Sequence, residues 1–89
     1  MFETKPRAKD IELVQTCGAC PEQYDAFYNG KMVGYLRLRH GYFTVDADGP
    51  WGVELYSARP KGDGCFEWDE RDKYLRKARK AIAKHVRGE

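Results

Sequence analysis

Two dipeptides, Asn29-Gly30 and His40-Gly41, constrain the fold more than any other feature of this 89-residue sequence. Asn-Gly is the strongest short signal for a two-residue β-hairpin, because a type I′ turn requires a positive φ at both central positions. A second turn at His40-Gly41 would set the register of the strands that flank it. That register places four apolar side chains on one face of the sheet, as strand alternation requires: Leu36, Leu38, Phe43 and Val45. The sequence therefore predicts consecutive antiparallel hairpins.

The remaining pattern supplies further strands and one helix. Strands are predicted at 11–16, 24–28, 32–39, 42–46 and 53–58, and a helix from about residue 69 to residue 86 with Asp69 as its N-cap. The helix has an apolar stripe at 3-4-4 spacing, made of Leu75, Ala78, Ile82 and Val86. We predict an α+β fold, in which an antiparallel four- to five-stranded meander sheet has one C-terminal helix packed on one face. Residues 1–10 are predicted to be a flexible arm and residues 11–87 a single α+β domain. The predicted core consists of Leu13, Phe27, Leu36, Leu38, Phe43, Val45, Val53, Leu55, Leu75, Ala78 and Ile82.

Charge is unevenly distributed along the chain, although the formal net charge is only +2. Residues 73–87 contain seven bases and no acid, whereas residues 10–72 contain twelve acids and six bases. Such an asymmetry can indicate a polyanion-binding surface. It is explained equally well by a basic helix that lies on or near an acidic body, and in part by the match between these charges and the helix dipole.

The sequence contains three cysteines, an odd number that is untypical of a small secreted disulfide scaffold. We therefore expect free thiols and a reducing, cytoplasmic compartment. Cys17 and Cys20 form a CxxC pair, a spacing found in half of a zinc site or in a redox pair. A complete zinc site would need a second pair of closely spaced ligands. No such pair is formed by the remaining cysteine and histidines, which are Cys65, His40 and His85. We interpret the CxxC segment as a structural turn, with zinc at Cys17 and Cys20 or a redox pair of the two as the alternatives, and no other cofactor is predicted.

One face of the predicted sheet is rich in tyrosine and arginine. Alternation places Tyr35, Arg37, Arg39 and Tyr42 there, with Tyr24 and Tyr56 as further candidates. Protein interfaces are enriched in these residue types, and single-stranded nucleic acid binds similar surfaces by stacking on aromatic rings and by pairing phosphates with arginine. We predict that a partner is bound by Tyr35, Arg37, Arg39, Tyr42 and Tyr56. A protein partner or a homodimer is favoured over nucleic acid.

The segment from Pro60 to Phe66 is a glycine-containing loop between the last strand and the helix. Backbone N–H groups of such a loop can bind phosphate, but the nearby acids would repel an anion, so we favour an ordinary loop. The acyl-CoA-binding half of the GNAT acetyltransferases is similar to a stretch of this sequence that consists of VELYSA, this loop and YLRKARKAI. Their central strand is similar to VGYLRLR. The resemblance implies that Gly62 and Gly64 correspond to glycines that cradle the CoA pyrophosphate, in a half fold without activity.

A second resemblance covers most of residues 11–82. Its segments, QTCGACPEQYD, VGYLRLRHGYFTV and YSARPKGDGCFEWDERDKYL, are similar to a group of small uncharacterised proteins met in bacteriophages and prophages. The resemblance brings no catalytic residues. It implies an accessory protein of a mobile element that acts on a host or defence component in the host cell cytoplasm.

No catalytic set can be assembled from the sequence. Ser57 is the only serine, and nothing places a base beside it. No apolar run approaches the ~18 residues of a membrane span, so we predict no membrane association. We predict a non-enzymatic binding module. There are two alternatives. One is a GNAT-like relic that binds acyl-CoA or a nucleotide, and the other is a protein that binds single-stranded nucleic acid.

Overall fold

The computed structural model describes residues 6–89 as a five-stranded antiparallel sheet with one long helix. The strands follow one another across the sheet in chain order, which is the predicted meander. The elements are a short 3-10 helix (Ala8–Asp10), β1 (Glu12–Cys17), β2 (Glu22–Tyr28), β3 (Lys31–Arg39), β4 (Tyr42–Ala47), β5 (Glu54–Ala58) and α1 (Arg71–Val86). The predicted α+β fold class is therefore confirmed.

Both predicted two-residue turns have the backbone conformation that their sequences favour. The φ angle is 51° at Asn29 and 81° at Gly30, and it is 53° at His40 and 73° at Gly41. Positive values at both central residues are those of the turns that match the twist of a β-hairpin. The pairing between β3 and β4 has the predicted register, and its apolar pairs are Leu36–Val45 and Leu38–Phe43.

The helix α1 covers one face of the sheet, and the core lies between them. Leu75, Ala78 and Ile82 are buried on the helix, as its apolar stripe predicts. Gly34 of β3 lets the helix approach closely, since a Cβ at this position would lie 2.6 Å from Cδ1 of Ile82. The strands contribute the opposite side of the core, with Tyr24, Ala26, Val33, Leu36, Leu38, Phe43 and Val45 buried.

Two members of the predicted core lie elsewhere. Val53 precedes β5 and is 74% exposed, because the strand begins one residue later than predicted. Phe27 is half-buried on the opposite face of the sheet, where it pairs with Met32 beyond a bulge in the β2–β3 ladder. Phe66 takes part in the core instead, and its ring lies edge-on to that of Phe43 with centroids 5.0 Å apart.

The N-terminal segment is anchored where the structure describes it. The guanidinium of Arg87 donates a hydrogen bond of 2.9 Å to the carbonyl oxygen of Pro6, and the 3-10 helix contacts α1. Residues 6–10 of the predicted flexible arm make these contacts, and their flexibility stays a prediction. Residues 1–5 of that arm lie outside the described residues. Within residues 6–89, no helix is long and apolar enough to cross a membrane.

Candidate functional site

The loop between β5 and α1 is organised by one buried carboxylate. Glu70 is 5% exposed and accepts hydrogen bonds from the backbone N–H groups of Lys61, Gly62 and Glu67 at 2.8, 2.8 and 2.9 Å. Burial raises the pKa of Glu70, but these bonds outweigh burial, so its pKa lies below the usual value. The loop is thus a hydrogen-bonded structure closed on its own glutamate.

The two loop glycines are required by close packing. A Cβ at Gly62 would lie 1.9 Å from the carbonyl oxygen of Cys65, and a Cβ at Gly64 would lie 3.0 Å from Cβ of Cys20. The N–H of Gly62, which the GNAT resemblance assigns to a pyrophosphate, is bonded to Glu70 instead. The geometry of this loop therefore accounts for both glycines without a ligand.

A second buried carboxylate, that of Glu22, connects the sheet to this loop and to the helix. It accepts two hydrogen bonds from the guanidinium of Arg71 at 2.9 and 3.1 Å and one from the N–H of Phe66 at 3.0 Å. The hydroxyl of Tyr24 donates to it as well. Burial raises the pKa of Glu22, yet these donors prevail and lower it. Burial and the adjacent carboxylate raise the pKa of Tyr24 to about 12. These groups are satisfied within the chain, so we assign them a structural role.

The cysteines are arranged differently from the prediction. Cys20 forms a disulfide with Cys65, whose Cα lies 5.4 Å away, and Cys17 is the free cysteine. The expectation of three free thiols is therefore wrong for Cys20 and Cys65. A disulfide sulfur is not the thiolate that zinc requires, so the Cys17–Cys20 metal pair is not present in this form. Residues 6–89 contain no group of three or more His, Cys, Asp or Glu side chains placed to hold a metal ion.

The sheet face turned away from α1 is the candidate functional site, and we call it the open face. The strand pairings arrange its side chains in four rows that run across the strands. Arg59 joins the first row because its guanidinium lies over the ring of Tyr42, 5.0 Å from the ring centroid. The rows are Arg39, Tyr42 and Arg59; Cys17, Gln23, Arg37, Thr44 and Ser57; Val14, Asp25, Tyr35, Asp46 and Glu54; and Glu12, Phe27 and Met32.

Two adjacent hollows on the open face share the side chain of Arg37. One has a volume of about 310 Å³ and is lined by Arg37, Arg39, His40, Tyr42 and Thr44. The other has a volume of about 160 Å³ and is lined by Tyr35, Arg37, Asp46, Pro50 and Trp51. The structure thus brings together Tyr35, Arg37, Arg39 and Tyr42, as alternation predicted.

Tyr56 does not belong to this surface. It pairs with Val45, whose side chain points toward the helix, and its ring lies 6.2 Å from that of Phe43. Tyr24 also lies on the covered face, opposite Leu36, and is 8% exposed. Both assignments to the Tyr/Arg face are therefore wrong, since the pairing register determines which face a side chain occupies.

Trp51 and Asp46 are members of the site that sequence reasoning missed. Trp51 follows the turn after β4 with a φ of 70° and is 95% exposed beside the second hollow. Asp46 is half-buried, and burial together with the nearby charge of Glu54 raises its pKa. Alternation from Tyr42 through Thr44 could have identified Asp46, but no sequence signal places Trp51.

The bases of α1 lie on a different surface. Five of them are exposed on the outer side of the helix, away from the sheet: Lys73, Arg76, Lys77, Lys80 and Lys84. Within the described residues, none of these five forms an ion pair. The interpretation that the basic helix lies near an acidic body stays a prediction for these five bases, without a close ion pair to support it.

Comparisons with other proteins add no relative to this description. No family model matches the sequence, and neither a curated protein nor a solved structure is significantly similar to it.

Proposed function

We propose that this chain is a non-enzymatic binding module that engages a protein through the open face. The observation that carries the proposal is the pair of hollows that share Arg37 on a sheet face without a covering helix. Tyrosine, tryptophan and arginine are the residues that most often dominate binding energy in protein interfaces. Trp51, Tyr42 and Arg37 provide all three types within one patch.

The alternatives are less compatible with the arrangement of charge and hydrogen bonds. A nucleic-acid strand that crossed the open face would meet Asp25, Asp46 and Glu54 in one row, and these would repel its phosphates. An acyl-CoA pyrophosphate would compete with Glu70 for the N–H of Gly62. The buried carboxylates of Glu22 and Glu70 have their hydrogen-bond donors within the chain, so neither is assigned a catalytic role.

The resemblance to phage and prophage proteins suggests the setting of this proposal. In that setting, the chain would be a small accessory protein of a mobile element, and the partner would be a host or defence protein or a second copy. The outer bases of α1 would accelerate encounter with an acidic partner, because long-range charge affects association rates more than affinity.

Site-specific photocrosslinking in cells tests the proposal. A photoreactive residue at Thr44, in the centre of the open face, should form adducts with a polypeptide, whereas the same probe at the exposed Lys77 of α1 should not. The double substitution R39A/Y42A should weaken the adduct at least tenfold while the far-ultraviolet circular dichroism stays unchanged, because interface hot spots are often worth ≥ 2 kcal/mol. Equal labelling from both positions, or an adduct insensitive to R39A/Y42A, would overturn the proposal.

A further inference from the structure

The open face is electrically polarised along the strands. The row of Arg39, Tyr42 and Arg59 carries two positive charges, and the row of Arg37 carries one. The next row contains Asp25, Asp46 and Glu54 and carries three negative charges, and the last row contains Glu12. One half of the face is therefore basic and the other half acidic, with the boundary between Arg37 and Tyr35.

These charges compensate one another only in part, since burial and Glu54 raise the pKa of Asp46 by more than the positive charge of Arg37 lowers it. In the part of the chain that the structure describes, no carboxylate oxygen lies within 4.0 Å of a guanidinium nitrogen of Arg37, Arg39 or Arg59. Asp46 and Glu54 are direct cross-strand partners, and like charges in that position destabilise a sheet. Their repulsion contributes to the raised pKa of Asp46. A basic group placed above this row would relieve the repulsion.

The same surface can supply that basic group from a second copy. Alternate residues along a strand are about 6.7 Å apart, and packed sheets lie about 10 Å apart, so an arginine can reach a carboxylate on a facing sheet. A two-fold axis that runs along the rows, between the rows of Arg37 and Tyr35, keeps each strand above the same strand of the other copy. The row of Arg37 then lies above the row of Tyr35, so Arg37 lies between Asp25 and Asp46 of the other copy, which flank Tyr35 on the neighbouring strands. A two-fold axis along the strands would instead stack basic rows on basic rows.

We propose that the open face binds the open face of a second copy of this chain, with Arg37 of each copy lying between Asp25 and Asp46 of the other. The inference rests on the proposed function and names its partner. The interface is isologous, so each charge pair occurs twice. Tyr35 and Tyr42 provide its aromatic surface, and Trp51 lies at its rim.

The size of the face determines how strong the dimer should be. Five strands spaced about 4.8 Å apart and four rows spaced about 6.7 Å apart give a footprint of roughly 500 Å². A standard interface buries about 800 Å² on each partner, so this contact is at the small end of the range. The dimer should form at micromolar concentration and should weaken as salt rises, because its charge pairs lie near solvent.

A charge exchange tests the inference with the intact chain. Sedimentation velocity from about 5 to 500 μM should show a dimer of the unmodified protein. R37E places an acid beside Asp46 of the other copy twice per dimer, D46K places a base beside Arg37 of the other copy twice per dimer, and each should raise the dimer Kd about 100-fold. An equimolar mixture of R37E and D46K restores both charge pairs, so it should form a heterodimer with close to the original Kd. K77E, an equal charge change on the outer side of α1, should leave the Kd unchanged.

Each outcome decides the inference separately from the proposed function. A protein that is monomeric throughout this range, or a mixture of R37E and D46K that fails to associate, overturns the second copy as partner. The proposed function would still stand in that case if the Thr44 probe labels another protein in cells. A dimer insensitive to both substitutions would place the contact on a different surface and would also overturn the inference.

Discussion

The Glu22–Arg71 pair should show a marked asymmetry when either partner is removed. The side chain of Glu22 is 1% exposed, whereas that of Arg71 is 40% exposed. R71Q leaves a buried carboxylate without its cation, and E22Q leaves an arginine that water can hydrate. We therefore expect R71Q to destabilise the protein more than E22Q, although both substitutions break the same ion pair.

The magnitudes follow from the hydrogen bonds that each variant retains. Removing the partner of a buried charge costs about 3–5 kcal/mol. Glu22 in R71Q keeps the bonds from Phe66 and Tyr24, so the lower end, about 3 kcal/mol, is expected. E22Q keeps an acceptor for the N–H of Phe66 and loses bonds to a charged group, which costs about 1.5–2 kcal/mol. The double variant should cost about as much as E22Q alone, because the unpaired buried charge is then absent.

The pH dependence of stability should separate the two variants further. In the unmodified protein the pKa of Glu22 is lowered, so its contribution is present above the ordinary carboxyl pKa and is lost as pH falls through the lowered value. Without Arg71, burial becomes the main influence and raises the pKa of Glu22. The loss of unfolding free energy in R71Q should then exceed that in E22Q most at neutral pH, and the difference should shrink as pH falls toward 4.5.

Urea unfolding followed by circular dichroism at pH 7 and at about pH 5 measures these differences, which are large against a typical stability of about 5–15 kcal/mol. Equal losses for R71Q and E22Q, or a double variant whose loss is the sum of the two, would refute the argument from burial. Arg76→Gln, on the exposed side of the helix, is the matched control and should change stability by less than about 0.5 kcal/mol.

Three further predictions follow from the loop and the open face. The disulfide spans a sequence separation of 45, so its reduction should lower the free energy of unfolding by about 4 kcal/mol. Cys17→Ser should leave the free energy of unfolding unchanged. Thermal denaturation measures both effects. Gly62→Ala should lower the free energy of unfolding by about 3 kcal/mol, because the added Cβ overpacks the loop. Gly18→Ala is the control and should be tolerated, since no atom lies within 4 Å of its added Cβ. Equal unfolding midpoints of the two variants would contradict this prediction. In a Trp68→Phe background, the fluorescence of Trp51 should shift to shorter wavelength as the protein associates, and an emission maximum independent of concentration would remove Trp51 from the interface.

The fold could be predicted because its strongest signals are local. The turn at His40-Gly41 determines the register of β3 with β4, and alternation then assigns their side chains to a face. The turn at Asn29-Gly30 sets only the first pairs of β2 with β3, because a bulge between Ala26 and Phe27 shifts the register beyond them. The same logic identified Arg37 and Tyr42 as neighbours on the open face. It failed at Tyr56, because a bulge in the β4–β5 ladder shifts the pairing beyond Val45.

The rest of the site depends on contacts between distant segments. The disulfide pairs two cysteines that are 45 residues apart, and the closer CxxC spacing directed attention to the wrong pair. An odd cysteine count is as compatible with one disulfide and one thiol as with three thiols. Because disulfides are typical of oxidising compartments, this bond counts against the reducing location inferred from that count.

Two groups of charges, one on each face of the sheet, differ in how completely the chain satisfies them. Glu22, Glu70 and Arg71 are linked to backbone and side-chain partners, and together they hold the loop that positions α1 on one face of the sheet. On the other face, no carboxylate among residues 6–89 lies within ion-pair distance of the arginines, and Asp46 lies opposite Glu54. Stability of the isolated chain explains the first group and is reduced by the second. Under the proposed self-association, the surface that lowers the stability of the single chain becomes complementary when it faces a second copy.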